Sequence, residues 1–162
     1  MRVEPLRLEW IEALMDGDAT FSERFGIAVI EGWAGFPEAL PHALDAARRQ
    51  DTDPWGSHLF FDDDGALVGF GGFKGPPVAE EVEIGYAIAP ARQGRGLATT
   101  ATRTMIDRAR DRGATRVVAH TLATPSASTA VLVRCGFTRT ASIADPDGGV
   151  DGEVWRWELQ LS

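Results

Sequence analysis

A short segment between a predicted strand and a predicted helix, Gln93-x-x-Gly96-x-Ala98, has the residue types of an anion-binding loop. Backbone N–H groups at the start of a helix are free to bind phosphate oxygens, and the helix dipole adds partial positive charge there. Glycines let the backbone turn sharply and approach a ligand closely. A helix favours acidic residues in its first turn, yet none occurs between Glu83 and Asp107. The segment is therefore predicted to bind a phosphate group.

The spacing of the glycines narrows the type of phosphate ligand. A dinucleotide-binding fingerprint requires Gly or Ala where Thr99 stands. It also requires an acidic residue about 20 positions further on, where the chain has Ala119-His120-Thr121. A nucleotide P-loop requires Gly-Lys-Ser or Gly-Lys-Thr, which the segment lacks. Neither class of nucleotide site fits the sequence.

The remaining pattern resembles the signature of the GNAT family of acyl-CoA-dependent N-acetyltransferases, Q/R-x-x-G-x-G/A between a strand and a helix. The resemblance extends from about Leu67 to Phe137. Within the family, Glu83-Ile84-Gly85-Tyr86, Ile88-Ala89-Pro90 and Cys135-Gly136-Phe137 are similar to segments of the ribosomal-protein alanine N-acetyltransferases, the Rim-type group. The resemblance implies acetyl-CoA as cosubstrate, no metal, and direct transfer of the acetyl group to a primary amine. That amine would be a protein or peptide N-terminus or a small amine.

The family's mode of cofactor binding implies a set of binding residues in this chain. Backbone groups of the strand from Tyr86 to Ile88 would pair with the pantetheine arm, with an N–H near Ile88 facing the thioester oxygen. The N–H groups from Gly94 to Thr99 would hold the pyrophosphate, while Arg92 and Arg95 would either add charge or remain solvated. The residues predicted to bind the cofactor are Tyr86, Ala87, Ile88, Arg92, Gln93, Gly94, Arg95, Gly96, Leu97, Ala98, Thr99 and Ser128.

Amide formation from a thioester needs a neutral amine, so a base must take a proton from the ammonium group directly or through water. The resemblance makes Glu83 the best candidate, because many family members place a catalytic glutamate on the strand that borders the cofactor. Glu83 could instead be an edge carboxylate that shapes the acceptor site, and Glu81 is the second candidate base. His120, at a predicted strand end, is either a catalytic or acceptor-binding group or a structural histidine.

The proton donor for the leaving thiolate departs from a common family pattern. Leu132 stands where many members carry a tyrosine on the late helix, and Pro125 aligns with a frequent asparagine. Ser128 matches the family's usual serine and could hydrogen-bond the sulfur or the pantetheine, or it could cap the helix together with Ser126. Because a thiol has a pKa of roughly 8 to 9, the reaction does not require a dedicated acid.

Two predicted loops would form the acceptor side, residues 31–41 and residues 144–151. Three aspartates in the second loop favour a cationic acceptor, although a plain acidic turn explains them equally well. Trp33 and Trp55 could line the pocket or belong to the core.

The elements that must position these residues follow from periodicity and turn signals. Predicted strands lie near Arg2–Leu8, His58–Phe61, Leu67–Phe73, Val82–Ala89, Arg116–Leu122 and Val154–Leu161, with another after Cys135-Gly136-Phe137. Predicted helices lie near Leu8–Asp16, Pro37–Gln50, Ala98–Arg112 and Ser126–Arg134. The fold class is therefore α/β (α+β), a GNAT-like single mixed, mostly antiparallel sheet flanked by helices, in one domain spanning residues 1–162.

Composition excludes several other classes of protein. A pI near 4.8 argues against a nucleic-acid binder, and no apolar run suggests a membrane span or a signal peptide. One cysteine, Cys135, cannot form an internal disulfide, so a cytoplasmic location is expected. Residues 84–144 hold nine arginines against two acids, which gives the phosphates of coenzyme A a basic partner segment.

Two alternatives stay open, the first because of the missing tyrosine and asparagine, the second because acceptor loops vary independently of the cofactor motif. The chain could be a noncatalytic acyl-CoA-binding or regulatory module, or an acetyltransferase for an antibiotic or metabolite amine. A homodimer is one of the oligomeric states that the sequence leaves open.

Overall fold

The computed structural model of the chain describes residues 1–49 and 54–161. The strands are β1 Arg2–Pro5, β2 Ser57–Phe61, β3 Leu67–Phe73, β4 Glu81–Ile88, β5 Arg116–Leu122, β6 Thr138–Ala144 and β7 Glu153–Gln160. The α-helices are α1 Leu8–Asp16, α2 Asp18–Phe25, α3 Leu40–Arg48, α4 Leu97–Asp111 and α5 Ala127–Arg134. Short 3₁₀ helices occur at Pro37–Ala39 and Pro90–Arg92.

The strands of the described residues form one seven-stranded sheet in the order β1-β2-β3-β4-β5-β7-β6. The central neighbours β4 and β5 run parallel, whereas the other neighbouring pairs are antiparallel. Pro5 lies on β1, at the sheet edge, where its missing N–H costs no central hydrogen bond. The predicted mixed, mostly antiparallel sheet is confirmed.

Helices cover the two faces of the sheet, as neighbouring residues of β2 show. Phe60 and Phe61 are both fully buried, but successive strand residues point to opposite faces. Phe60 packs in the core beneath α4 and α5, which includes Met105 and Leu132. Phe61 packs in a second core beneath α1, α2 and α3, which includes Phe21.

The sheet opens between β4 and β5, and we call this opening the fork. The two strands pair over Glu81–Glu83 and Arg116–Val118. Beyond that point β4 pairs with β3 from Ile84 to Ile88, while its other edge has no strand partner among the described residues. The crossover between these parallel strands contains α4, so the fork lies next to the helix that follows the predicted phosphate loop.

Most predicted elements lie where the sequence placed them, with differences near the N-terminus. The first strand ends at Pro5 rather than Leu8. The sequence analysis did not predict α2, an eight-residue helix with one fully buried residue, Phe21. Helix α3 ends at Arg48, and the predicted end at Gln50 lies outside the described residues. Within the described part of the chain, no helix is long and apolar enough to span a membrane.

Candidate active site

The end of β4, the loop that follows it and the start of α5 surround a cavity of about 360 Å³. All the residues predicted to bind the cofactor line this cavity except Arg95, whose side chain is exposed beside it. Four lining residues were not predicted: Ala127, Ala130, Val131 and Arg134. Their spacing of three and four positions places them on one face of α5. This helical period is the feature of the sequence from which they could have been predicted.

The loop between β4 and α4 has the geometry of an anion site. Gly94 and Gly96 have φ angles of 77° and 78°, in the left-handed region that favours glycine. Gly96 caps α4, and its carbonyl accepts the N–H of Thr100 at 3.0 Å. The N–H groups of the helical residues before Thr100 have no partner within the helix. No acidic side chain lies in the first turn. The arrangement suits the oxygens of a pyrophosphate.

The side chain of Gln93 fixes this loop to β4. Its Nε2 donates a hydrogen bond to the carbonyl oxygen of Ile88 at 3.0 Å. The signature glutamine therefore lines the cavity and uses its amide to hold the loop against the strand end. Arg92 lies 3.8 Å by its Nε from Oδ2 of Asp62, so its charge is partly compensated within the protein.

The backbone of β4 points into the fork at alternate residues. The N–H of Ala89 donates to the carbonyl oxygen of Val68 on β3 at 2.8 Å. Because backbone direction alternates along a strand, the N–H and C=O groups of Ile88 and Tyr86 point away from β3. These are the groups predicted to pair with pantetheine and to face the thioester oxygen.

Tyr86 and Ser128 join the strand to α5 on the cofactor side. The Tyr86 hydroxyl donates to the carbonyl oxygen of Ser128 at 3.0 Å, and Ser128 Oγ donates to the Tyr86 hydroxyl at 3.3 Å. Ser126, not Ser128, caps α5, in a reciprocal capping box with Thr129. The capping alternative for Ser128 is therefore wrong, and its hydroxyl lies at the cavity.

On the opposite face of the sheet, Glu83 and His120 meet at the fork. Glu83 pairs with Val118 in the parallel ladder, so His120 lies two residues further along β5 on the same face. The Nδ1 atom of His120 is 3.1 Å from Oε2 of Glu83. An ionised Glu83 favours the tautomer with the proton on Nδ1, which leaves a lone pair on Nε2. That Nε2 atom is buried and has no hydrogen-bond partner among the described residues.

Lys74, which the sequence analysis did not consider, completes this cluster. It follows β3, and its Nζ lies 2.8 Å from Oε2 of Glu83 and 2.6 Å from Oδ2 of Asp147. Its own N–H donates to the carbonyl oxygen of Glu83 at 2.9 Å. The one feature of the sequence that could have drawn attention to Lys74 is that it is the only lysine in the chain.

Glu81, the second candidate base, lies in a different network. Its Oε1 is 3.0 Å from both Nη1 of Arg116 and Nη2 of Arg156, and both arginines also contact Glu158. Glu81 is thus held by two guanidinium groups that remain charged, whereas the partners of Glu83 are one ammonium group and an imidazole, which makes Glu81 the weaker candidate base.

The loop predicted to contain aspartates for the acceptor is ordered around Asp145. Its carboxylate accepts the backbone N–H groups of Asp147, Gly149 and Val150. The hydrogen bond from Asp147 is the largest of the causes that lower the pKa of Asp145. The loop therefore presents Asp147 toward Lys74 in a fixed conformation.

Trp33 and Trp55, for which the sequence left both a pocket and a core position open, pack against other aromatic residues. Trp33 is buried in the core beneath α1–α3, and its Nε1 donates to Asp18 at 3.0 Å, so the suggestion that it lines the pocket is wrong. Trp55 packs edge-on against Phe73. The loop around Trp33 nevertheless covers β4, because a Cβ at Gly35 would lie 2.2 Å from the Cβ of Ala87.

Comparison with known proteins identifies the family. The family described as the acetyltransferase (GNAT) domain matches residues 4–138. The chain belongs to the GNAT acetyltransferase family. It is an acyltransferase, and acetyl-CoA is its cosubstrate. Comparison with curated protein sequences gives no significant match.

Solved structures of similar fold span nearly the whole chain. A ribosomal-protein-alanine N-acetyltransferase from Brucella melitensis has a TM-score of 0.70 at 17% identity and covers 99% of this chain and 100% of its own. A spermidine N-acetyltransferase chimera from Vibrio cholerae and hSSAT has a TM-score of 0.70 at 14% identity, with 99% and 96% covered. The yncA protein of Salmonella typhimurium, solved with acetyl-CoA, has a TM-score of 0.69 at 20% identity, with 99% and 94% covered. The predicted fold and family are confirmed.

Within residues 1–49 and 54–161, no group of three His, Cys, Asp or Glu side chains is placed to hold a metal ion.

Proposed function

We propose that this GNAT enzyme acetylates a cationic primary amine that enters the fork from the Glu83 face of the sheet. The observation that carries the proposal is the position of Glu83. It lies at the last residue of the parallel ladder, where β4 separates from β5, with the cofactor cavity bordering the same strand further on. A carboxylate there can meet an acceptor while the cofactor lies along the strand.

The cofactor would bind mainly through backbone groups. Backbone groups of β4 near Tyr86 would pair with pantetheine in the manner of an added strand. The free N–H groups of Gly94–Thr99 would hold the pyrophosphate at the start of α4. The N–H of Ile88 would then donate to the thioester oxygen and stabilise the oxyanion of the tetrahedral intermediate.

The chemistry would begin with transfer of a proton from the acceptor's ammonium group to the Glu83 carboxylate. The neutral nitrogen then attacks the thioester carbon and a C–N bond forms. The nitrogen loses its second proton to solvent as the C–S bond breaks and the amide is released. Coenzyme A leaves as the thiolate and takes a proton from solvent, because a thiolate is a stable leaving group. His120 would hold Glu83 in place through Nδ1, and its buried Nε2 gives a second proton acceptor in the same cluster.

The chain offers a matched pair of substitutions to test the base. Glu83→Gln and Glu81→Gln make the same chemical change on the same strand face, two residues apart. Acetyl-CoA-dependent thiol release should be measured with a panel of amines and peptides for the wild type and both variants. We expect Glu83→Gln to lower kcat/KM by about 10²-fold or more, the usual contribution of a general base, and Glu81→Gln to have a much smaller effect.

Two results would contradict the proposal. Full turnover in Glu83→Gln would remove Glu83 from the mechanism. Tight acetyl-CoA binding with no transfer to any acceptor would instead favour the noncatalytic acyl-CoA-binding module, which Leu132 at the position of the usual tyrosine motivates.

Acidic residues around the proposed entry support a positively charged acceptor. Glu83 and Asp147 face the proposed entry, and Asp145 and Asp151 lie in the same loop as Asp147. The panel should therefore contain peptides with a free N-terminus, polyamines, and amine-containing antibiotics and metabolites. The structural neighbours named above include enzymes for a ribosomal-protein alanine and for spermidine, so both classes belong in it.

A further inference from the structure

The ammonium group of Lys74, the only lysine of the chain, contacts the carboxylate of the proposed catalytic base, Glu83. The Nζ of Lys74 lies 2.8 Å from Oε2 of Glu83 and 2.6 Å from Oδ2 of Asp147. A primary alkylammonium group bound by Glu83 is also what the proposed mechanism requires of the acceptor before its first step. The structure thus contains, within its own chain, a chemical copy of the acceptor's reacting group.

Lys74 is charged in this position. Burial alone lowers the pKa of Lys74, but hydrogen bonds and charges from Asp147 and Glu83 outweigh it, and the pKa is raised overall. At neutral pH the group is therefore an ammonium, in the same state as an aliphatic amine arriving from solution.

The ion pairs of Lys74 are replaceable. The side chains of Lys74, Glu83 and Asp147 are 43%, 26% and 67% exposed. Ion pairs between partly exposed side chains contribute little net free energy to folding, because water solvates the separated charges well. An incoming ammonium could therefore take the place of Lys74 without a large loss of folding stability.

The stem of Lys74 follows the floor of the cleft. Its Cε lies 4.0 Å from the point where a Cβ at Gly85 would stand. Gly85 is two residues after Glu83 on β4 and faces the same side of the sheet. A Cβ there would make ordinary van der Waals contact with the Lys74 stem, so the unbranched methylene chain runs over Gly85 to the Glu83 carboxylate.

We propose that Lys74 is an internal competitor whose ammonium group occupies the acceptor's own subsite, between Glu83 and Asp147, and that the acceptor is a primary amine on an unbranched alkyl stem. This inference rests on the proposed function, because it takes Glu83 as the base. Acceptor binding would exchange one ammonium for another, so both carboxylates stay neutralised while Lys74 moves into solvent.

The kinetic test removes the competitor. Lys74→Met keeps a flexible apolar stem without the charge, Lys74→Arg keeps a cation, and Arg110→Met removes a cation on exposed α4 that pairs with Asp107. The acceptors should be a linear alkyl diamine, an N-terminally blocked peptide with one lysine, and a lysine-free peptide with a free N-terminus. Initial rates then give KM and kcat separately for each acceptor.

We expect Lys74→Met to lower KM several-fold for the linear amine or the lysine peptide, and Lys74→Arg and Arg110→Met not to lower it. Whichever of these two acceptors responds identifies the source of the alkylammonium, a small molecule or a protein side chain. An unchanged or raised KM in Lys74→Met would overturn the inference, because a lysine that only anchors the 144–151 loop predicts a raised KM. A response confined to the free N-terminus would overturn the unbranched-stem assignment.

A second readout is independent of turnover. The chain has two amino groups, Lys74 and the α-amino group of Met1, so limited labelling with acetic anhydride can be read at both by peptide mass spectrometry. The ratio of Lys74 to Met1 labelling corrects for reagent consumed by the acceptor. We expect the acceptor to raise this ratio, since Lys74 is displaced into solvent. An unchanged ratio with normal turnover would overturn this inference alone, whereas absence of turnover with every amine would overturn the proposed function and the inference together.

Discussion

The Tyr86 hydroxyl on β4 is hydrogen bonded to the carbonyl oxygen of Ser128 on α5 at 3.0 Å, across one end of the cofactor cavity. Ser128 Oγ donates back to the same hydroxyl at 3.3 Å. Both residues line the cavity, so the pair fixes the separation between the strand and the helix that enclose it. Burial raises the pKa of Tyr86 to about 12, so the phenol keeps the proton that it donates.

Tyr86→Phe should therefore loosen the wall of the cavity. We expect the free energy of unfolding to fall by about 1 kcal/mol, because a partly buried hydrogen bond is lost, and the affinity for acetyl-CoA to fall as well. Ser128→Ala removes the second hydrogen bond and leaves the first, so its effect should be smaller. Denaturant unfolding and calorimetric titration with acetyl-CoA measure the two quantities. A larger loss in Ser128→Ala would contradict this assignment.

The same burial predicts how stability depends on alkaline pH. The pKa of Tyr86 is raised from 10 to about 12 on folding, so the folded state holds the proton more tightly. The contribution of the Tyr86 phenol to the free energy of unfolding is complete below pH 10, the pKa of the unfolded state. It declines as the pH rises from 10 to about 12, by at most about 1.4 kcal/mol per pH unit. Because Tyr86 is the only tyrosine, tyrosinate absorbance follows it directly. In Tyr86→Phe the part of the decline in the free energy of unfolding that comes from Tyr86 should be absent. An equal decline in the wild type and in Tyr86→Phe would contradict this prediction.

A carboxylate at the start of α4 should interfere with the cofactor's phosphates. Ala98 lines the cavity in the first turn of the helix, where no acidic residue occurs. We expect Ala98→Glu to weaken acetyl-CoA binding about tenfold or more by repulsion at the helix start. Arg110→Glu, at an exposed residue of the last turn, changes the net charge by more and should have little effect. Binding measured at two salt concentrations tests both variants, and equal weakening would show a general charge effect.

Local patterns predicted the loop before α4 and two of the strands well. The Gln93-x-x-Gly96-x-Ala98 segment needs its glycines for φ angles near 77° and lies at a helix start, and both features depend on neighbouring residues. Strands Leu67–Phe73 and Arg116–Leu122 were predicted with correct bounds because apolar residues, glycines and turn signals mark their ends.

The acceptor side depended on long-range register, which the sequence does not show. Lys74 and Asp147 are separated by 73 positions and meet because β3, β4 and the 144–151 loop converge at the fork. The sequence left Trp33 either at the pocket or in the core, because the Gly and Pro residues around it indicate a loop but not where the loop packs; the core alternative is confirmed. Glu81 and Glu83 share one strand face, and only their neighbours from other elements distinguish them: two arginines for Glu81, and Lys74 with His120 for Glu83.

The turn before β4 contains strained residues that give a prediction about stability. Ala79 and Glu80 have φ angles of 50° and 64°, in the left-handed region that non-glycine residues rarely adopt. The turn closes with a bridge between Val78 and Glu81, and the Glu80 carbonyl accepts the N–H of Thr115, so this strained geometry sets the start of the strand that carries the candidate base. A left-handed residue with a side chain costs roughly 1 to 2 kcal/mol.

Ala79→Gly should accordingly raise the free energy of unfolding by about 0.5 to 1 kcal/mol, the relief of strain less the entropy that glycine loses on folding. Ala39→Gly is the matched control: Ala39 has a φ of −79°, where glycine gains nothing, so this variant should be destabilised by up to about 1 kcal/mol. Urea unfolding midpoints of both variants give the comparison. Destabilisation by both would show that the turn stores no recoverable strain, whereas opposite signs support strain held next to the site.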